Sequence, residues 1–297
     1  MKLIISCFDD INNIFHIFSN EINRIWEVTK GDTNHIILLK NYQDNNVNKW
    51  RFDLLKSIYK DVYIHKINDL NIQRSIEYSI TIETFPYNII DPWTFRKYDK
   101  SDFYADLADK VKISLGTKNI TGHTITYVYR TNNRILYDFK SKKLLAEVLK
   151  DEFEKLNIPF KYASFDQMSL KDQANILSDT KIMLAVHGAS NTNLVLLPDN
   201  AHLFEINFRK YWFCDPVCPN HKSGLLRYKD NCHGQLLYRN YFHKADYHNL
   251  AQLFGKKYTE WEVEDADTFL DLNPINLKNI FIDSHSLIEK LKNAYYC

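Results

Sequence analysis

The chain of 297 residues reads as an α/β protein: two Rossmann-like halves with mainly parallel sheets, facing a central cleft. Three observations lead there. Short apolar runs alternate with helical periodicity along most of the chain, the pattern of successive βα units. The length suits two domains of moderate size, and a composition of 45% hydrophobic and 25% charged residues can bury a full core. A segment with almost no large apolar residue, Gly116–His123, separates two series of such units and holds two of the seven glycines. The expected division is a first unit over 1–116, a second over 117–275, and a closing helix over 276–297 that packs back on the first unit.

In order, Lys2–Ser6 reads as a buried strand and Phe8–Asn13 as a polar loop. Ile14, Phe18, Ile22 and Ile25 follow helical spacing, with Trp26 alongside. Ile36–Leu39 and Val62–Ile67 are further strands, with an amphipathic helix over Trp50–Tyr59 between them. Tyr78–Glu83 alternates polar and apolar residues as a strand does, and Asp102–Leu115 is helical. The second series opens with a strand at Thr124–Tyr129 and a turn over Arg130–Arg134. A helix over Ser141–Leu156 follows, its apolar stripe running from Leu144 to Leu156. Next come a strand at Phe160–Phe165 and a helix at Ser169–Leu177, opened by a Ser169-x-x-Asp172 start that resembles a capping box. Ile182–Val186 is a strand, His187–Ser190 a tight turn opening a short helix, and His202–Ile206 a strand carrying Glu205. Phe208–Glu264 shows little periodicity, and Asn276–Tyr296 reads as a helix.

The formal net charge of +1 excludes the basic excess of a general nucleic-acid or anionic-membrane binder. No apolar run approaches the roughly 18 residues of a membrane helix, and the opening MKLIISCFDD turns acidic too early for a secretory signal. Five cysteines, few and odd in number, fit a reducing compartment; the expected setting is cytoplasmic. Cys214, Cys218 and Cys232, with His221 and His233, have zinc-ligand chemistry, but their spacing does not repeat a pair-and-pair pattern. Buried free thiols and a structural zinc are the two readings.

The stretch Lys181–Asn207 carries the strongest signal. A strand running into a small-residue turn that opens a helix leaves backbone N–H groups and a positive dipole end facing outward, a site for a phosphate. Gly188, the only glycine between Gly122 and Gly224, permits close approach, and Ser190, Asn191 and Thr192 offer side-chain donors. An ordinary capped strand–turn–helix junction would show the same residues. Glu205, at the end of the next strand, is placed to accept hydrogen bonds from a ribose. Arg130 and Arg134 follow the first strand of the second series. They are either a diphosphate clamp or a pair of surface arginines.

VYRTNNRIL, then a helix, then FDQMSLKDQANILSDTKIMLAVHGASNTNLVLLPDNAHLFEI, with an early INNIFHIFSNEINRIW, resembles glycosyltransferase family 61. That family includes plant β-1,2-xylosyltransferases and the EGF-domain O-GlcNAc transferase. The resemblance implies a GT-B fold and inverting transfer of a sugar from a UDP donor, xylose or N-acetylglucosamine, without an essential metal. The partners it implies are a UDP-sugar and an oligosaccharide or glycoprotein acceptor, with room for a homodimer. His187, Gly188, Ala189, Thr192 and Asn193 match its His-Gly-Ala-Gly-x-Thr-Asn block, Arg130 and Arg134 its arginines, and Glu205 its acidic residue. Ser190 stands in place of the usual glycine, Asn191 in place of an aliphatic residue, and Tyr137–Asp138 where an Asn is common.

Inverting transfer needs a general base at the acceptor hydroxyl. His16 is the candidate, since it lies just past the first strand and off the Ile14/Phe18/Ile22 stripe; Asp9, Asp10 and Glu21 are nearby carboxylates that could orient or replace it. A solvent-facing helix histidine is the other reading of His16. A catalytically silent nucleotide-sugar or glycan binder is the alternative function. A nicotinamide-dependent epimerase is disfavoured because no Gly-x-Gly-x-x-Gly turn is present.

Overall fold

In a computed structural model the described residues are 3–7, 13–14, 17–40, 42–64, 79–83, 101–118, 120–207, 246–263 and 279–297. They form a mixed α/β structure in which every strand pairing between named strands is parallel. The first sheet holds β1 (Leu3–Cys7), β2 (Ile36–Leu39), β3 (Asp61–Ile64) and β4 (Ser79–Glu83), in the order β3-β2-β1-β4. The second holds β5 (Thr124–Val128), β7 (Phe160–Ala163), β8 (Thr180–Val186), β9 (His202–Asn207) and β10 (Lys257–Glu262), in the order β10-β9-β8-β5-β7. Both orders are doubly wound: the chain adds strands outward on one side of its first strand, then returns to build on the other.

The helices are α1 (Asn23–Thr29), preceded by a π-helical turn over Ile17–Ile22, α2 (Asn46–Ile58), α3 (Ser101–Leu115), α4 (Leu145–Lys155), α5 (Leu170–Leu177), α6 (Asp246–Leu253) and α7 (Ser284–Tyr296). Local signals set several boundaries. The Asn45 side chain accepts from Asn48 N and starts α2 four residues before the expected Trp50. The Ser169 hydroxyl accepts from Asp172 N, so the capping start expected for α5 is present.

From Ile182 to Val186 β8 is apolar because both its faces are covered, and its side chains alternate between two cores. Ile182, Leu184 and Val186 pack with α4 and α7, joined by Leu149, Phe153, Leu287 and Leu291. Met183 and Ala185 face the other way, into a core that runs without interruption through α2, α3, α5 and α6 to Ile4, Ile37 and Leu39 of the first sheet. The two sheets therefore share one apolar core.

Four expectations change. The closing helix begins at Ser284, after a strand β11 (Asn279–Ile282) that pairs with β6 (Ile135–Asp138); neither strand stood out in the sequence. That helix packs on α4 in the second unit, not back on the first, because Leu287, Ile288 and Leu291 match the apolar stripe of Leu145, Leu149 and Phe153. Within the aperiodic 208–264 stretch, α6 and β10 are ordered elements. The Gly116–His123 segment is pinned to the second sheet: His123 N and Thr124 N both donate to Asp179 O, and a Cβ on Gly122 would lie 2.5 Å from Thr180 O.

Polar contacts also tie the two series together. Lys112 on α3 donates to Asp199 at 2.6 Å, and Lys118 and Lys256 converge on the same carboxylate. Hydrogen bonding by Lys112 holds the Asp199 carboxyl well below the usual range, against the opposing effect of burial. Asn46, at the start of α2, donates to Asp166 O and Gln167 Oε1, both at 2.9 Å.

Candidate active site

β5 and β8 are neighbours in the sheet although β7 lies between them in the chain; the winding direction reverses here. Ligands of such sheets bind beyond the carboxyl ends of the strands at that reversal. β5 ends at Val128 and leads to Tyr129 and Arg130; β8 ends at Val186 and leads to His187 and Gly188. A pocket of about 550 Å³ opens there. Arg130, Arg134, His187, Gly188, Ala189, Ser190 and Asn193 line it from the second series, and Asn13, Asn46 and Trp50 from the first.

The backbone conformation at position 188 calls for glycine. Its φ of 155° and ψ of 176° form a conformation nearly exclusive to glycine. A Cβ there would meet the ends of the Arg130 and Arg134 side chains, which shows how closely both guanidiniums lie on the turn. Arg134 is itself held at φ 53°, uncommon for a side-chain-bearing residue, and its Nη1 donates to His187 O at 2.5 Å. Burial lowers the pKa of both guanidiniums; that of Arg134, also crowded by the Arg130 charge, comes down to about 10. The carboxylate that offsets this charge is Asp166, beside Arg130. Two like charges packed on one glycine turn in a partly dry crevice favour an anion between them. The surface-pair reading of the arginines does not hold.

The short helix expected after the turn is a 3₁₀ helix over Ala189–Leu196. Ser190 Oγ, Asn191 Oδ1, Thr192 Oγ1 and Asn193 Nδ2 are buried along it and have no hydrogen-bond partner among the described residues. Behind it lies Glu205, fully buried and away from the pocket lining. One carboxylate oxygen accepts from His187 Nδ1 at 2.6 Å and Asn191 Nδ2 at 3.0 Å, the other from the Tyr258 hydroxyl at 2.5 Å. The ribose contact expected of Glu205 is therefore not available to it. β9 is one strand beyond the reversal, so its carboxylate reaches the back of His187 instead of the crevice. Glu205 buttresses the turn and fixes the His187 ring, whose Nδ1 carries the proton it donates. Asn191 and Thr192 are likewise fully buried and stand behind the lining.

His16, Asp9 and Asp10 lie outside the described residues, as do Cys214, Cys218 and Cys232 with their neighbouring histidines. Asn13 and Ile14 do line the pocket. Glu21 cannot substitute as a base. It is fully buried and ion-paired with Arg51, which donates to its two oxygens at 2.5 and 2.7 Å, and it also accepts from the Ser6 hydroxyl. Asp138, in the Tyr137–Asp138 departure, accepts from Ser284 Oγ and Ser141 N, both at 2.6 Å, and so serves the β6–β11 junction.

Sequence reasoning missed several pocket residues, Tyr247, Trp50, Asn46 and Gln173 among them. Tyr247 on α6 meets the His187 ring edge-on at 5.4 Å, and Trp50, Asn46 and Gln173 come from helices named only for their apolar stripes or caps. Nothing in their spacing marks them, because only the packing of α2 and α5 around the crevice brings them there.

Doubly wound parallel sheets, with a glycine turn and two arginines lining a crevice at the strand reversal, define an α/β protein of the class that places its site there. Within that class the chain belongs to glycosyltransferase family 61: the family model described as Glycosyltransferase 61 matches residues 15–204. The match covers both arginines, the whole turn and β9 up to Phe204. No curated protein matches the chain. Family membership supports glycosyltransferase activity in general terms, with a sugar donor and an acceptor as partners. No helix among the described residues is long and apolar enough to cross a membrane.

Proposed function

We propose that the protein transfers a sugar, xylose or N-acetylglucosamine, from a UDP donor to a hydroxyl of a glycan or glycoprotein acceptor, with inversion at the anomeric carbon. The observation that carries this reading is the buried Arg134 and half-buried Arg130 closed onto the Gly188 turn at the strand reversal, in a chain of this family. The two sheets are read as the facing halves of a GT-B fold, the second holding the donor and the whole acting in the cytoplasm.

In this scheme the acceptor oxygen attacks the anomeric carbon from the face opposite the diphosphate. The bond from that carbon to the diphosphate oxygen breaks, and UDP departs with the electron pair. Negative charge grows on the departing oxygen, where Arg130, Arg134 and the N–H groups after Gly188 stabilise it without further reorganisation. We assign that task to the arginines in place of a metal ion. The hydroxyl proton passes to a base, for which His16 is the proposed residue on the strength of its sequence position.

Millimolar UDP is expected to raise the melting temperature, because a ligand that binds only the folded state stabilises it. Arg134→Ala is expected to weaken UDP binding by roughly 10- to 100-fold, the worth of a charge-assisted hydrogen bond. Calorimetric titration checks both, and unchanged UDP affinity in Arg134→Ala would remove the clamp. Transfer itself is checked by UDP release on addition of glycan acceptors to protein loaded with each UDP-sugar.

A further inference from the structure

β8, β5 and β7 are neighbours in the second sheet, in that order, and the chain leaves the carboxyl end of each at nearly the same level. Val128 on β5 is in register with Ala185 on β8 and with Ala163 on β7. A little beyond that row the three strands lead to Gly188, Arg130 and Asp166, and all three residues line the pocket. Asp166 is an exposed residue and the only carboxylate among the described residues of the lining. Its place is fixed from both units: the Thr131 hydroxyl donates to its Oδ2 at 2.5 Å, and the Asn46 amide donates to its main-chain O at 2.9 Å. A carboxylate accepts at about four lone-pair positions, and the Thr131 hydroxyl takes one of them.

We infer that Asp166 accepts hydrogen bonds from the ribose hydroxyls of the nucleotide, the role that Glu205 cannot fill from behind the turn. The inference rests on the nucleotide-sugar reading of the pocket. A carboxylate repels phosphate oxygens and suits a neutral group that donates hydrogen bonds, such as a pair of neighbouring hydroxyls. With the diphosphate at Arg130 and the Gly188 turn, Asp166 stands one strand further along the sheet, on the side away from that turn. One strand spacing is roughly 5 Å, the order of the separation between a nucleotide's phosphate and its ribose. Glu205 lies on β9, on the opposite side of β8, and its carboxylate is engaged by His187, Asn191 and Tyr258. The transferred sugar also carries neighbouring hydroxyls. The row of strand ends belongs wholly to the second unit, however, and there the nucleotide is held while the sugar faces the acceptor.

The test is calorimetric titration of UDP, 2′,3′-dideoxy-UDP, pyrophosphate and UDP-N-acetylglucosamine into the wild type, Asp166→Ala and Asp166→Asn, with thermal melting of each variant. Asp166→Asn keeps an acceptor for Thr131 and serves should the alanine variant not fold. Wild type is expected to bind UDP roughly 10-fold or more tighter than the dideoxy nucleotide. In Asp166→Ala the two should come within about threefold of each other through loss of UDP affinity. Pyrophosphate should bind the variants no more weakly, since they lose a negative charge beside Arg130. Wild type that does not distinguish the two nucleotides, or variants that distinguish them as the wild type does, would overturn the inference. So would equal losses for pyrophosphate and UDP, which would make Asp166 a support of the arginines. A loss for UDP-N-acetylglucosamine alone would assign the carboxylate to the transferred sugar and overturn it as well. Wild type that binds neither UDP nor UDP-N-acetylglucosamine would instead overturn the nucleotide-sugar reading on which the inference stands.

Discussion

At the scale of single residues, the site depends on positions where one atom more or less decides the outcome. Gly188 is the sharpest case. Gly188→Ala puts a methyl group into the Arg130 guanidinium and asks an alanine to hold a φ of 155°. The expected cost is roughly 1–3 kcal/mol of stability from backbone strain, read as a lower urea midpoint, together with loss of measurable UDP binding. Normal UDP affinity in that variant would show that the guanidiniums can move away from the turn without consequence. Glu205 makes the complementary point: an acidic residue at the end of a strand could hold a ribose or a histidine, and its three protein partners decide for the histidine. Ser190 and Asn191, the departures inside the motif, both keep a polar atom buried and without a partner among the described residues.

At the scale of elements, the second sheet is held at its far edge by a contact that responds to pH. His202 on β9 is hydrogen-bonded through Nε2 to Thr259 Oγ1 on β10 at 2.8 Å. Burial, and secondarily the Lys257 charge, push its pKa from 6.5 down to about 4. Between those values the unfolded chain binds more protons at this position than the folded one, so stability is full above pH 6.5 and falls as the pH drops toward 4. Denaturation midpoints at pH about 7.5 and about 5 should show a smaller drop for His202→Gln than for the wild type. An identical drop would mean that β10 stays in place however His202 is charged. This matters for the site because β10 carries Tyr258, whose hydroxyl holds Glu205 behind the turn.

For the whole molecule, the shared core is the governing fact. Residues from both sheets enter one apolar cluster, from Ile4 and Ile37 through Leu54 and Leu107 to Met183 and Leu203. Two sheets that bury their surfaces against the same helices should unfold together. Scanning calorimetry is expected to give one transition whose calorimetric and van't Hoff enthalpies agree; two resolved transitions would show that the halves are energetically separate. A common core also keeps Trp50 and Asn46 of the first unit over the pocket of the second, so the crevice is completed by both.

What the sequence determined by itself follows from period and composition. β8, β9, α4 and α5 were legible because burial on one or both faces imposes an apolar run or stripe that no other structure would need. The Gly188 turn and the two arginines were legible because their chemistry is rare at a strand's end. β10 was not: within it only Trp261 is buried, and an edge strand with mixed exposure leaves no clear period. β6 and β11 are four residues each, too short to show one. Only tertiary structure decided where Glu205 points, that α7 lies on α4, and that Gln173 and Trp50 meet at the pocket. Those outcomes depend on which surfaces come into contact, and contact between residues as distant as Trp50 and Asn193 is set by packing, which leaves no local trace in the sequence.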